Sequence, residues 1–306
     1  MTQACFALLP ERGVLAVAGT DRRSFLQGLI SNDVNKVGDT RAAYAAFLTP
    51  QGKYLHDFIL IEHEEKIWLD AEAARLADLK RRLSMYRLRA KVELVEQPEL
   101  AVAAIFGGGA AATCGLPAEA GAARVLGDGA VMVDPRLQEL GVRAILPRAV
   151  IVPVLTKLGL TETDFAAWDR HRLLLGIPDG SRDLVPDKTI LLEAGFDELN
   201  GVDWQKGCYI GQELTARTKY RGLIKRRLFP VQFSGPASAP GTLISADGKE
   251  AGELRSTRDE VGLALLRLPS GSGSDAPPLT VDGASLTPMR PAWMRLETSA
   301  DSGSAE

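Results

Sequence analysis

The sequence predicts an α+β protein with more than one domain and a small all-β domain at its C-terminal end. Three observations support this prediction. The chain has 306 residues, which is more than one hydrophobic core usually serves. Helix-like and strand-like patterns are mixed up to about residue 225. From Arg226 onward, short alternating strands are separated by Asp-Gly turns at 247–248 and 282–283, as in a small β domain.

The composition is that of a globular protein, with 45% hydrophobic and 25% charged residues. A net charge of -3 provides no overall field that would attract nucleic acid or a membrane. Cys5, Cys114 and Cys208 lie far apart without a CxxC pair, which indicates a reducing compartment and no zinc or disulfide framework. Residues 1–13 lack a leader pattern and no run of 18 apolar residues occurs. We therefore expect a cytoplasmic protein without a membrane span.

Two helices and a hairpin are predicted in the first hundred residues. Thr20 and Asp21 can cap a helix whose apolar residues between 25 and 30 fall on one face. Aromatic and β-branched residues on both sides of the Pro-Gln-Gly turn at 50–52 predict a hairpin. Apolar residues that recur every three or four positions from Leu76 predict an amphipathic helix of about 16 residues.

The middle of the chain contains further strands and one Gly- and Ala-rich segment. Strands are predicted at 91–95 and 100–106, and a hairpin between 131 and 146. Residues 107–129 offer little surface to bury, so we interpret them as a surface loop. The alternative, a dinucleotide-binding turn, lacks the GxGxxG register. A helix capped by Thr161 or Thr163 should end at the Gly-Ile-Pro of 176–178.

Cys208 is the strongest candidate for chemistry. It lies between Gly207 and a helix predicted to begin near Gly211, with Lys206 two positions away. A helix N-terminus and a nearby cation both favour the thiolate, so a reactive cysteine is one interpretation. The alternative is a small apolar core residue. One cysteine cannot hold a metal centre alone, so ligation of a cluster would need a partner.

The segment 206–227 is strongly basic. Its seven Lys and Arg residues stand against Glu213 alone, which gives a local charge of +6. Clustered cations suit a polyanionic ligand or an acidic protein surface, although a merely solvated face has the same pattern. RNA is a further possibility, with Tyr209 and Tyr220 as the only interleaved aromatic residues.

Three sequence segments resemble a known family. LEAGFDELNGVDWQKGCYIGQELTARTKYRG at 192–222 resembles the signature of the YgfZ family of folate-binding proteins. It is most similar to the branch that contains the mitochondrial iron–sulfur assembly factor. FLQGLISNDV at 25–34 and QGKYLHDFIL at 51–60 resemble motifs shared by that family and the glycine-cleavage T-protein. The resemblance covers most of residues 5–295, except the segment 107–129.

The resemblance implies a T-protein-like (aminomethyltransferase) fold, with mixed sheets and helices around a central folate cavity and a small C-terminal β-barrel. Residues 1–225 would form the folate-binding region as two interleaved α+β domains, about 1–50 with 150–225 and about 51–149. The barrel would occupy 226–298. The small polar residues 299–306 should form a disordered tail.

The resemblance also implies the site residues. Those implied in the chemistry are Cys208, Asp57 and Lys206. Those implied in binding tetrahydrofolate or a derivative are Asp57, Glu193, Asn32, Tyr209, Gln212, Glu213 and Arg217. Asp57 matches the T-protein acid that assists chemistry at the folate nitrogen, and Glu193 the acid that holds the pterin. The alternatives are that Asp57 is a solvent-facing hairpin residue and that Asn32 ends a helix.

The function implied is that of a tetrahydrofolate-binding accessory protein for iron–sulfur cluster assembly or repair. Its partners would be folate and iron–sulfur assembly or client proteins, and the chain would be a monomer. One alternative is a folate-dependent aminomethyltransferase that uses Asp57. A second alternative is a tRNA-modification factor that uses the basic segment.

Overall fold

The computed structural model describes residues 3–222, 224–268 and 277–295. The predicted disordered tail at 299–306 lies outside these ranges. The strands are, in chain order, β1 Cys5–Leu8, β2 Arg12–Ala18, β3 Ala43–Leu48, β4 Tyr54–His63, β5 Lys66–Glu72, β6 Glu93–Glu96, β7 Leu100–Phe106, β8 Ala123–Leu126, β9 Gly129–Val133, β10 Val142–Pro147, β11 Thr161–Thr163, β12 Arg226–Phe233, β13 Leu243–Ala246, β14 Lys249–Arg258, β15 Val261–Arg267, β16 Leu279–Val281 and β17 Ala284–Pro288.

The helices are all short. They are α1 Arg22–Gln27, α2 Leu76–Met85, α3 Ala110–Thr113, α4 Ile151–Lys157, α5 Phe165–Leu174, α6 Gly180–Asp183 and α7 Gln212–Arg221, with short 3-10 turns at Val34–Lys36, Ala73–Arg75, Gln138–Leu140 and Leu191–Ala194. Throughout the three described ranges, no helix is long and apolar enough to cross a membrane.

The first sheet is antiparallel and has five strands in the order β3-β4-β5-β2-β6. The hairpin predicted at 50–52 is confirmed, because β3 and β4 pair across it. One face of this sheet packs against α1 and α2 in a hydrophobic cluster that includes Leu26, Phe47 and Leu79. The helix predicted from Leu76 ends at Met85 instead of spanning about 16 residues. The chain must turn there because β6 returns to the sheet beside β2.

The second sheet has six strands in the order β11-β1-β7-β10-β9-β8. The hairpin predicted between 131 and 146 is confirmed as β9 and β10. The prediction of a surface loop at 107–129 is wrong, since this segment supplies α3 and the edge strand β8. Its small side chains, such as Ala110 and Cys114, are buried against the outer face of the sheet. Small residues there permit close packing, which composition alone does not reveal.

The two sheets pack face to face, and helices cover their outer faces. The cluster between them combines Val14 and Tyr44 of the first sheet with Val102 and Met132 of the second. Strands β3 and β4 lie on either side of residue 50 and pair in one sheet. The boundary between the two sheets therefore differs from the predicted domain boundary between residues 50 and 51. The strands between residues 12 and 96 form the first sheet. The second sheet takes its strands from three separate parts of the chain.

A closed six-stranded barrel, ordered β12-β15-β14-β13-β16-β17, follows the sheets. It begins at Arg226, where the sequence predicts the change to a β domain. Polar contacts join it to the preceding helices: Arg258 donates to Asp169 at 3.0 Å, and the Ser256 hydroxyl donates to Asp183 at 2.5 Å. The predicted α+β class with a C-terminal β-barrel is therefore confirmed.

Candidate functional site

The loop 205–211, which carries Cys208, is held by two glycines in left-handed conformations. Gly207 has φ 92° and Gly211 has φ 80°. Gly211 caps α7, so the helix begins where the sequence predicts it. A Cβ atom at Gly211 would lie 2.5 Å from the Thr49 carbonyl oxygen. The loop thus approaches the β3–β4 turn so closely that only glycine fits.

Lys206 fixes the other side of the loop. Its Nζ donates to the carbonyl oxygens of Gln27 and Ile30 at 2.6 Å each, at the C-terminal end of α1. Cations are favourable at that end of a helix. Burial lowers the pKa of Lys206 to about 8, although Asp33 and Asp203 act in the opposite direction. The geometry therefore gives Lys206 a positioning role, whereas the family resemblance implied a catalytic one.

Cys208 is exposed at the tip of this loop, whereas Cys5 is half-buried and Cys114 is buried. The interpretation of Cys208 as an apolar core residue is therefore wrong. Burial raises the pKa of the Cys114 thiol to about 11, so that thiol stays protonated at neutral pH. Of the three, Cys208 alone has an exposed side chain, on the loop that Lys206 and Gly211 hold in place.

Glu193 and Tyr209 are buried, and each has a polar atom without a hydrogen-bond partner within the described ranges. The Oε1 atom of Glu193 accepts from Arg226 Nε at 3.4 Å, and Oε2 has no donor. Burial raises the pKa of Tyr209 to about 12, and neighbouring Thr215 opposes this shift. The Thr215 hydroxyl bonds instead to the Gly211 carbonyl at 3.4 Å. An unpaired buried carboxylate oxygen is costly, and it marks Glu193 as a candidate ligand-binding group.

Asp57 lies inside the protein between two tyrosines. Its Oδ2 accepts from the Tyr44 hydroxyl at 3.0 Å and its Oδ1 from the Tyr54 hydroxyl at 2.7 Å. Only 4% of Asp57 is exposed, so the alternative of a solvent-facing hairpin residue is wrong. Burial raises the pKa of Asp57, while Arg12 and the two tyrosine hydroxyls oppose the rise.

An open cleft of about 540 Å³ lies beside this buried group. Its volume is in the range of small-molecule sites. Asn32 and Tyr44 line it, so Tyr44 connects the cleft to Asp57. The Asn32 amide donates to the carbonyl oxygens of Tyr44 and Asn200 at 2.7 Å each. Asn32 therefore ties two cleft walls together, which is nearer to its predicted structural role than to ligand binding.

Three predicted folate residues lie on α7 away from the cleft. Glu213 is 84% exposed in its side chain and pairs with Arg217 at 2.5 Å, one helical turn away. Gln212, at the start of the helix, is half-buried. None of the three lines the cleft. The structure thus separates them from Asn32, with which the resemblance grouped them.

Acids outside the basic segment 206–227 pair with three of its seven cations. Lys219 pairs with Asp197 at 2.5 Å, and buried Arg227 pairs with Glu198 at 2.7 Å. Arg226, Arg217 and Lys206 have the partners given above. Three acids between 193 and 198 thus reduce the local charge from +6 to +3, while exposed Arg221 and Lys225 form no ion pair within the described ranges.

Sequence reasoning missed a buried set of ion pairs between the sheets. Arg12 and Arg143 both contact Asp70, at 2.8 and 3.2 Å, and Arg136 pairs with Asp134 at 2.8 Å. Each member sits in or beside an ordinary strand or turn, where a charged residue normally faces solvent. Nothing in the spacing signals burial. A cavity of about 10 Å³ beside Arg12 and Arg136 has room for about one water molecule.

Comparisons with known proteins agree with the fold and the signature. A family model described as the CAF17 C-terminal beta-barrel domain matches residues 225–296. The human protein named iron-sulfur cluster assembly factor IBA57, mitochondrial, is 38% identical over 286 residues, which cover 86% of this chain and 77% of that protein. The Neurospora crassa protein named as its homolog is 30% identical over 288 residues, covering 87% and 63%.

A solved structure shares the architecture. The glycine cleavage system aminomethyltransferase T from Bartonella henselae superposes with a TM-score of 0.77, covering 96% of this chain and 87% of that one. At 17% sequence identity this similarity shows the fold alone. The predicted T-protein-like fold is confirmed.

The same comparisons correct the predicted location and give the family. Our prediction of a cytoplasmic protein is wrong, because the relatives from human, mouse and Neurospora crassa are all named as mitochondrial proteins. That prediction rests on the absence of a leader pattern in residues 1–13, which is a weaker guide than relatives matched along most of the chain. The signature, the fold and the sequence identity to these relatives agree. This chain therefore belongs to the YgfZ family, in its branch of IBA57 iron–sulfur cluster assembly factors.

Proposed function

We propose that this protein is an accessory factor for the assembly or repair of iron–sulfur clusters, and that Cys208 is its contact with the cluster or with a partner's thiol. The observation that carries the proposal is the exposure of Cys208 on a loop held at both sides. The relatives named above are iron–sulfur cluster assembly factors. The cluster is the cargo in this proposal.

The single exposed thiol limits how many ligands this protein can supply to a cluster. One cysteine supplies one ligand, while clusters are held by several. No group of three or more His, Cys, Asp or Glu residues in the described ranges could hold a metal ion. The remaining ligands must then come from a partner, and Cys208 would bind iron as the thiolate after losing its proton. Lys206 and Gly211 keep the thiol in a fixed position, which lowers the entropy lost on contact.

Replacing Cys208 with alanine is expected to remove function without affecting folding. An exposed substitution should change the free energy of unfolding by no more than about 0.5 kcal/mol. The measurement is the activity of iron–sulfur enzymes in a deletion strain that carries the variant. Cys114→Ala is the matched control, because it removes a buried thiol and should lower stability while retaining function. Full restoration of enzyme activity by Cys208→Ala would contradict the role assigned to this thiol.

Tetrahydrofolate fits part of the site. Among the described residues, the Oε2 atom of Glu193 is a buried acceptor without a donor, and the amino-pyrimidine edge of a pterin offers donors to a carboxylate. When bound, folate would supply or accept a one-carbon unit or stabilise the conformation. Both oxygens of Asp57 already accept from tyrosines, so we assign it no proton transfer and do not favour an aminomethyltransferase. Pairing of Lys219, Arg226 and Arg227 with acids leaves less open positive charge for tRNA, so we do not favour a tRNA-modification factor.

Calorimetry with tetrahydrofolate tests the folate proposal. We expect Glu193→Gln to weaken binding by about tenfold, equivalent to about 1.4 kcal/mol, because the amide accepts fewer hydrogen bonds from the pterin edge. Glu213→Gln makes the same chemical change at an exposed position of α7 and should bind as the wild type does. An absence of binding by the wild type, or equal losses in both variants, would count against folate at Glu193.

A further inference from the structure

The turn after α2, residues 85–91, exposes large apolar side chains without benefit to folding. Leu88 is 90% exposed, and Met85 is exposed as well. Leu88 also has φ 43°, a left-handed conformation that costs a leucine about 1 kcal/mol or more. An exposed leucine recovers little of this cost by burial. A residue that is both strained and exposed calls for an explanation outside the folded monomer.

Cations surround this apolar projection. Arg87, Arg89 and Lys91 are exposed, and in the part of the chain that the structure describes none of them forms an ion pair. Nearby Arg81 and Arg82 differ, since both pair with Asp78 at 2.6 and 2.7 Å. In the segment 206–227, acids from 193–198 pair with Lys219, Arg226 and Arg227. At the turn the fold leaves the positive charges open, and complementary acidic groups would meet them on a partner.

The strand that follows the turn lies at the edge of its sheet. Strand β6 pairs with β2 on one side, and no described strand lies on its other side. Its Val95 is partly exposed. An open edge beside an apolar projection can accept backbone hydrogen bonds as well as side-chain contacts from another protein.

The turn and the Cys208 loop are anchored on one hydrophobic cluster. The Tyr86 ring meets the Phe47 ring edge-on at 6.0 Å, and Phe47 forms a backbone bridge with Ile30. The Ile30 carbonyl accepts from Lys206 at 2.6 Å. Ile210, two residues beyond the thiol, packs against the same cluster as Tyr86. A protein bound at the turn would therefore contact the same part of the fold that carries the Cys208 loop.

The charge pattern favours a protein over a polyanion. Glu93 and Glu96 of β6 are exposed directly after Lys91. These carboxylates would repel the phosphates of RNA or of an anionic bilayer, which favour uninterrupted positive charge. A protein surface can combine acidic groups opposite the arginines with an apolar pocket for Leu88.

We propose that residues 85–91, with the open edge of β6, form the docking surface for an acidic protein that exchanges an iron–sulfur cluster with this chain at Cys208. The inference rests on the proposed function and adds the surface and the chemistry of the partner. Leu88 fills an apolar pocket of that partner, and Arg87 and Arg89 meet its carboxylates.

The experiment starts with a photo-reactive amino acid at position 88 in cells, and mass spectrometry identifies the protein that it captures. That protein is then purified and titrated against the wild type and against Leu88→Gly and Arg87→Glu/Arg89→Glu variants. We expect at least a tenfold weaker affinity for both variants, and a wild-type affinity that falls with salt. Leu88→Gly is decisive, because glycine relieves the left-handed strain and should leave stability equal or higher. Lost binding could then not be attributed to misfolding.

Two controls lie on the barrel. Asp247→Gly replaces another left-handed residue, with φ 47°, and Arg267→Glu reverses another exposed charge. Both should bind as the wild type does. If the two turn variants bind with the affinity of the wild type, the proposal of a docking surface is wrong. Captured RNA, or wild-type binding to phosphatidylserine vesicles that the turn variants lose, would contradict it as well. Cys208→Ala should still bind the captured protein, so failure of the thiol and failure of the surface are distinguishable.

Discussion

Replacing Arg172 with alanine is expected to lower the free energy of unfolding by about 3–5 kcal/mol, the cost of breaking a buried ion pair. Arg172 is 2% exposed in its side chain. Its Nε donates to Asp169 at 2.9 Å, and its Nη1 donates to Asp183 and to the Ile177 carbonyl. Alanine would leave two carboxylates in the interior without their main counter-charge. Because Asp183 also holds Ser256 of the barrel, the contact between α6 and the barrel should loosen too.

Chemical denaturation of both this variant and a surface control measures the effect. Arg267→Ala breaks a pair with Glu250 in which the arginine side chain is 61% exposed, and such pairs contribute no more than about 1 kcal/mol. The denaturation midpoint of Arg172→Ala should therefore fall far below that of Arg267→Ala. Equal midpoints would show that the buried network contributes little to stability.

Replacing Gly211 with alanine should cost about 2–4 kcal/mol of stability and displace the Cys208 loop. A left-handed alanine by itself costs about 1–2 kcal/mol. The added Cβ would also lie 2.5 Å from the Thr49 carbonyl oxygen and 2.9 Å from Gly52 Cα. Both contacts are with backbone, so no side chain can move aside, and the loop must separate from the β3–β4 turn.

Gly207→Ala is the matched control within the same loop. Gly207 also has a positive φ, of 92°, but no atom of the described residues lies within 4 Å of where a Cβ would be added. This variant should therefore lose only the conformational term, about 1–2 kcal/mol. The difference between the two variants measures the contact of the loop with the β3–β4 turn. Equal losses in thermal and chemical unfolding would contradict the close approach at Gly211.

Local signals in the sequence predicted much of the fold. The turn at 50–52, the hairpin of β9 and β10, the start of α7 at Gly211 and the change to a β domain at Arg226 all depend on neighbouring residues. Turn chemistry and capping act over a few positions, so the sequence displays them. The family signature added the T-protein-like architecture, which no local pattern contains.

The candidate site was predictable only in part. The sequence singled out Cys208 but left its burial open, and it grouped Asn32, Glu193 and Glu213 as ligand residues although they lie in different surroundings. The orphan oxygen of Glu193 and the tyrosines around Asp57 depend on contacts between distant segments. Residue type and spacing carry no information about such contacts.

Periodicity, turn residues and a long motif are local properties, so the sequence by itself determined the fold class and the C-terminal β domain, and it singled out Cys208 as a candidate. Only the tertiary structure decided which charges remain open. It paired Lys219, Arg226 and Arg227 with acids from 193–198 and, within the described ranges, left Arg87 and Arg89 without an ion pair on either side of Leu88. Coulomb interactions depend on distance in space, and the fold sets that distance.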